Sequence, residues 1–314
     1  MKHNTKITTI ILLMFFITQL IGLFIINFYD NNQNKIPYDM QPSNEIQSQS
    51  ITQGITYIIL MFTFTIIIFI ALTKIKAEII LRLWFFLVVA LGLGITLTAI
   101  LYNLNINNST SLIALSIAAV LSFFKIYKKN LIVHNLTELL IYPGVATIFV
   151  FFLFMLFKTQ TILGIIILLL IISLYDIWAV WHSEFMQKMA NYQINNLKFF
   201  TGFFIPYADK KTKQKIKTLK QKYTTEEELQ KNFKKSKLKI NLAILGGGDI
   251  IFPLITAGIF LKTYSVIPAL IITVFSTLAL LFLFILARKG KFYPAMPFLT
   301  IGIYLGMILS WIII

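Results

Sequence analysis

The chain has 314 residues, of which 58% are hydrophobic and 13% charged, and its mean hydropathy is +0.81. Such a composition excludes a soluble domain and fits a helical protein that crosses the membrane many times. The absence of cysteine excludes disulfides and thiolate metal sites, and His3, His134 and His182 are too scattered to suggest a metal centre, so no metal and no cofactor is expected. The net charge of +16 falls between apolar runs, which points to membrane orientation and anionic lipid and away from nucleic acid.

The first run, Ile7 to Phe28, lies behind Lys2 and Lys6. It is longer than the apolar region of a signal peptide and no small-residue cleavage site follows it, so a first membrane helix is expected. A polar loop from Asp30 to Gln53 follows. Further spans are predicted at Gly54 to Thr73, Ile79 to Tyr102, Thr110 to Phe124, Thr137 to Phe157 and Thr161 to Trp181. Within the polar stretch that comes next, Leu197 to Ala208 is too short to span but apolar enough to lie at the interface, or to form a re-entrant element. Three last spans are predicted at Leu238 to Leu261, Ser265 to Ala287 and Tyr293 to Ile313.

The predicted fold is therefore an all-α polytopic membrane protein with nine transmembrane helices. Residues 1–181 carry helices one to six, 182–237 form a basic cytoplasmic loop suited to lipid headgroups, and 238–314 carry helices seven to nine. A cytoplasmic N-terminus places 11 basic residues of the short segments inside and three (Lys35, Lys158 and Lys262) outside, and the C-terminus is then external.

Two of these runs hold a carboxylate well inside them, Asp176 in the sixth and Asp249 in the seventh. An unpaired acid in lipid costs several kcal/mol, so each needs a partner or a function. Counted as helix at about 1.5 Å per residue from the shared loop, Asp249 lies about 15 Å deep and Asp176 about 9 to 18 Å, so the two can meet. Two carboxylates sharing a site resist ionising together, and the pair can serve as general acid and base. A proton relay in a transporter uses the same residues and is the competing reading.

Gly246, Gly247 and Gly248 directly precede Asp249. They loosen a helix and let another backbone approach, which suits an enzyme that must hold an extended peptide, although a small-residue packing face has the same composition. The ninth run opens with Pro294, Ala295, Met296 and Pro297. Proline leaves carbonyls without helical donors, which at membrane depth requires protein or a water cavity to satisfy them.

The sequence Tyr175-Asp176, then Gly246-Gly247-Gly248-Asp249, then Pro294-Ala295-Met296, on the sixth, seventh and ninth runs, resembles the presenilin and signal peptide peptidase family of intramembrane aspartyl proteases. That family's pattern is YD, GxGD and PAL, and the chain is most similar in outline to its single-chain microbial presenilin homologues. Methionine at 296 stands where the pattern has leucine, a swap of nearly equal volume. The resemblance implies an intramembrane endopeptidase that cleaves transmembrane helices, with Asp176 and Asp249 as the catalytic pair. Tyr175, the three glycines and the Pro294 segment would shape the site and position substrate. It implies transmembrane-helix substrates and membrane lipid as partners, is compatible with a homo-oligomer, and does not imply obligate partner subunits. The prepilin and preflagellin peptidases also use GxGD, but their first aspartate lies much earlier in a smaller helical set. A transporter would predict internal inverted repeats, and none is visible between the two halves.

Overall fold

In lipid every backbone amide needs a partner within the protein, and long apolar runs meet this demand by coiling into helices. The structure is a computed structural model that describes residues 5–32, 50–75, 77–104, 110–128, 130–182, 201–207, 241–287 and 293–313. Among the described residues, nine α-helices and one small sheet occur. The helices are α1 (Thr5–Asn31), α2 (Ile51–Lys74), α3 (Glu78–Asn103), α4 (Thr110–Tyr127), α5 (Leu131–Phe157), α6 (Thr161–Trp181), α7 (Gly247–Thr263), α8 (Val266–Leu286) and α9 (Met296–Ile313). Strands β1 (Gly202–Tyr207) and β2 (Asn241–Gly246) pair antiparallel, with Gly202 opposite Gly246 and Phe204 opposite Ile244.

Among the described residues, seven stretches are long and apolar enough to cross a membrane. One of them, Leu131–Trp181, comprises α5 and α6, which are separated by a single 3-10 turn at Lys158–Gln160 where Lys158 adopts a φ of 48°. With 17 residues, α7 is not among the seven.

Three expectations are corrected. The fold is mostly helical but not all-α, because the run expected as one helix from Leu238 to Leu261 enters as strand β2 and turns helical only at Gly247. Gly246 is the hinge: it sits at φ −66° and ψ 148°, extended, as the N-cap of α7. The depth reckoned for Asp249 along a continuous helix from Lys239 therefore does not hold. Likewise Leu197 to Ala208, expected to lie at the interface or to form a re-entrant element, contributes a strand, β1, over Gly202–Tyr207. Finally, α5 begins at Leu131, where Asn130 caps it by accepting the amides of Ile132 and Val133, six residues before the expected start. Most of the basic loop expected at 182–237 lies outside the described residues.

The main core is one apolar cluster built from α1, α5, α6, the hairpin and α7 to α9, with Phe15, Phe203, Phe260 and Leu169 among its fully buried side chains. Small residues set the closest helix approaches, as is usual where lipid offers no hydrophobic drive for association. A Cβ on Gly144 of α5 would lie 1.9 Å from the carbonyl oxygen of Gly92 on α3. Helix α2 stands apart, with Gly54 as its one buried residue, and presents an almost wholly apolar surface to its surroundings.

Two ion pairs tie helices together. Lys125 of α4 meets Glu138 of α5, both side chains almost fully buried, and Lys262 at the end of α7 meets Asp30 at the end of α1. Lys125 is one of the 11 basic residues counted on the cytoplasmic side. Its burial follows from the early start of α5, which carries Glu138 well into the helix and gives the lysine a partner.

Candidate active site

Asp176 sits near the C-terminal end of α6, buried, facing α9. The two helices are laced along this face by polar contacts: the Tyr304 hydroxyl donates to the Ile166 carbonyl at 2.6 Å, and Ser173 donates to Thr300 at 2.7 Å. One turn further on, the Met296 amide donates to Oδ2 of Asp176 at 3.0 Å, and the Ala295 amide donates to the same carboxylate. Met296 is the first residue of α9, and Pro297 follows it. The first amides of a helix have no partner inside it, so proline is tolerated there and a carboxylate is welcome. The sequence Pro294-Ala295-Met296 thus delivers two unclaimed backbone donors to Asp176.

Asp249 lies in the first turn of α7. Its carboxylate accepts the amide of Gly246, the N-cap residue, in the arrangement of half a capping box; glycine has no side chain to supply the other half. Helix α6 packs against α7, and Asp176 lies within electrostatic reach of Asp249. Each is held by backbone amides at a helix N-terminus, on α9 for Asp176 and on α7 for Asp249.

The three glycines are not equivalent. Gly247 is buried under Tyr142 of α5, whose ring carbon Cε1 and hydroxyl would both be 3.0 Å from an added Cβ. A Cβ on Gly246 would lie 3.3 Å from Oδ2 of Asp249, whereas Gly248 has nothing closer than 3.9 Å. Tyr175, next to Asp176, directs its ring at Phe62 of α2, edge to face at 5.7 Å, and at Trp178. It therefore connects the site to α2.

A family model described as signal-peptide peptidase, presenilin aspartyl protease matches residues 12–314. The chain belongs to this family. It is accordingly a multi-pass membrane protein and an intramembrane aspartic protease. Two solved structures titled as presenilin family intramembrane aspartate proteases, in C222 and P2 space groups, share its fold. Their TM-scores are 0.60 and 0.54 at 17% and 18% identity, covering 98% and 95% of this chain and 99% and 97% of theirs. A comparison with curated proteins found no match.

Several polar residues near the family motifs escaped the sequence reading. Gln19 of α1, fully buried, donates through Nε2 to the carbonyl of Ile250 at 2.9 Å, beside the carbonyl of Asp249, which loses its helical donor to Pro253. A lone glutamine inside the first run was the available signal. His134 and Asn135 of α5 bind the backbone of β1. They precede the expected start of that span, so they read as loop.

Proposed function

We propose that Asp176 and Asp249 form the catalytic pair of an endopeptidase that hydrolyses peptide bonds within transmembrane helices. The observation that carries this reading is the convergence of the two carboxylates, each oriented by backbone amides, in a chain of this protease family. The pair shares one proton. The ionised aspartate removes a proton from water as its oxygen attacks the scissile carbonyl carbon, and the protonated one donates a hydrogen bond to the carbonyl oxygen. Collapse of the tetrahedral intermediate breaks the C–N bond as a proton passes to the leaving nitrogen, giving a carboxylate and an amine. Pro294, Ala295 and Met296 act by fixing Asp176; Gly246 fixes Asp249; Gly247 seats α7 under Tyr142, and the exposed Gly248 lets the substrate backbone come close; Tyr175 lines the approach from α2.

A helix hides its carbonyls, so the substrate must be extended to be cut, and strand addition offers one way to hold it. Strand β2 supports this role. Its side away from β1 has no strand beside it among the described residues, and it leads straight into Gly246 and Asp249. The nine helices cross the membrane with the N-terminus cytoplasmic and the C-terminus external, in the three-part organisation of 1–181, 182–237 and 238–314. The ion pair between Asp30 and Lys262, both on the expected external side, supports that topology.

The test is cleavage of a single-span peptide with a helix-destabilised centre by the detergent-purified protein, read by mass spectrometry. Wild type should cut within the apolar stretch, and Asp176→Ala and Asp249→Ala should each abolish the products. Retention of the same products by either variant would remove that aspartate from the chemistry.

A further inference from the structure

The strand pair carries information about which of its edges is open. In an antiparallel ladder the N–H and C=O of one residue point to the same side, and successive residues alternate sides. Asn135 grips both groups of Phe204: its Nδ2 donates to the Phe204 carbonyl at 2.7 Å, and the Phe204 amide donates to its Oδ1 at 3.0 Å. The backbone of Phe204 therefore faces α5, not β2. By alternation Gly202 and Pro206 face the same way. His134 Nε2 lies 2.8 Å from the Gly202 carbonyl, and Pro206, which lacks an N–H, occupies a position where no ladder bond is lost.

The outer edge of β1 is thus closed by two side chains of α5 that do what a third strand would do. Ile244, opposite Phe204, must then direct its own N–H and C=O away from β1. So must Gly246, and its amide does reach the Asp249 carboxylate on that side. Backbone groups at membrane depth need partners. Along β1, α5 supplies them to Phe204 and to the Gly202 carbonyl; along β2, the groups of Ile244 have no partner among the described residues and face an incoming strand.

We propose that Asn135 and His134 are positioning residues that choose the substrate's edge and register, closing β1 so that an extended peptide adds along β2 in one alignment with Asp249. This deepens the reading of the site as a peptidase and rests on it. Both residues act through the hairpin, not on the reacting atoms. Their anchorage is rigid, since α5 also packs Tyr142 edge to face on Phe203 of β1, with ring centroids 5.9 Å apart.

The register of cleavage is the discriminating readout. Asn135→Leu keeps the side-chain volume and removes both hydrogen bonds; Asn135→Gln keeps the amide groups. With the single-span peptide, wild type should cut at one dominant bond. Asn135→Leu should spread the cuts over neighbouring bonds and lower kcat/KM on the order of tenfold, as expected for reacting groups displaced by less than about 1 Å. Asn135→Gln should lie between the two, and His134→Ala should spread the cuts more weakly. The same bond cut at the wild-type rate by a folded Asn135→Leu protein would overturn the proposal. If that variant does not fold, unchanged cleavage by His134→Ala and Asn135→Gln would do so. Wild type that leaves every peptide uncut would instead overturn the peptidase reading on which the proposal stands.

Discussion

Alanine substitution at the three consecutive glycines should give three different results, because the space beside each is different. At Gly248, in the first turn of α7 with nothing within 3.9 Å of a new Cβ, alanine gains helix propensity and reduces unfolded-chain entropy. The expected gain is about 0.4–1 kcal/mol of stability. At Gly247 the same gain is opposed by overpacking. The Tyr142 ring carbon Cε1 and its hydroxyl would stand 3.0 Å away, and that ring cannot swing aside because it is buried and wedged against Phe203. Overpacking costs about 1–3 kcal/mol, so Gly247→Ala should lose roughly 0–2 kcal/mol net. At Gly246 the φ and ψ of −66° and 148° suit any residue, so stability should hardly change. The new methyl would press on Oδ2 of Asp249 at 3.3 Å, and activity should fall instead. A misplacement of about 1 Å costs on the order of 100-fold, so a shift of a few tenths is expected to cost on the order of tenfold. The assays are thermal unfolding in detergent and the peptide-cleavage rate for each variant. Equal stability changes at 247 and 248, or an unaltered rate for folded Gly246→Ala, would refute the assignment of these glycines.

Among the described glycines, Gly144→Ala should be the most damaging, since it would place Cβ 1.9 Å from a backbone oxygen of α3. A loss of about 3 kcal/mol or more is expected, seen as poor yield or a lowered melting temperature. Glu138→Leu alone should cost about 3–5 kcal/mol by stranding buried Lys125, whereas the Lys125→Met, Glu138→Leu pair should recover most of it. Double-mutant unfolding measurements check this, and additive losses would show that the two charges do not depend on each other.

Much of the fold was legible because the apolar runs are long and their interruptions are polar. What was not legible follows from physics the sequence does not carry. After Asn241, the strand from Leu242 to Gly246 is apolar and continuous with the helix after it, and over so few residues no periodicity separates a buried strand from a buried helix. Only the glycine triplet marked the change, and it was read as a loosened helix when Gly246 is the boundary itself. The start of α5 was missed because His134, Asn135 and Glu138 look like loop residues until their partners on β1 and α4 are known. At the site, the Asp176 segment and the Pro294 segment could each be found from composition, but the reason for their conjunction is a backbone amide, which every sequence position except proline offers equally.

The two aspartates are oriented by the same physical device with different connectivity. Asp249 carries its donor on its own chain three residues away, so its geometry travels with the junction of β2 and α7. Asp176 borrows its donors from α9, 120 residues distant, and keeps them only while α6 and α9 stay laced through Ile166, Ser173 and Thr300. Movement of α6 relative to α9 would therefore strip Asp176 of its amides and leave Asp249 untouched, whereas movement of the hairpin on α5 would do the reverse. Competence of the pair accordingly depends on two independent interfaces. Asn135 secures one of them from α5, and Ser173 secures the other from within α6.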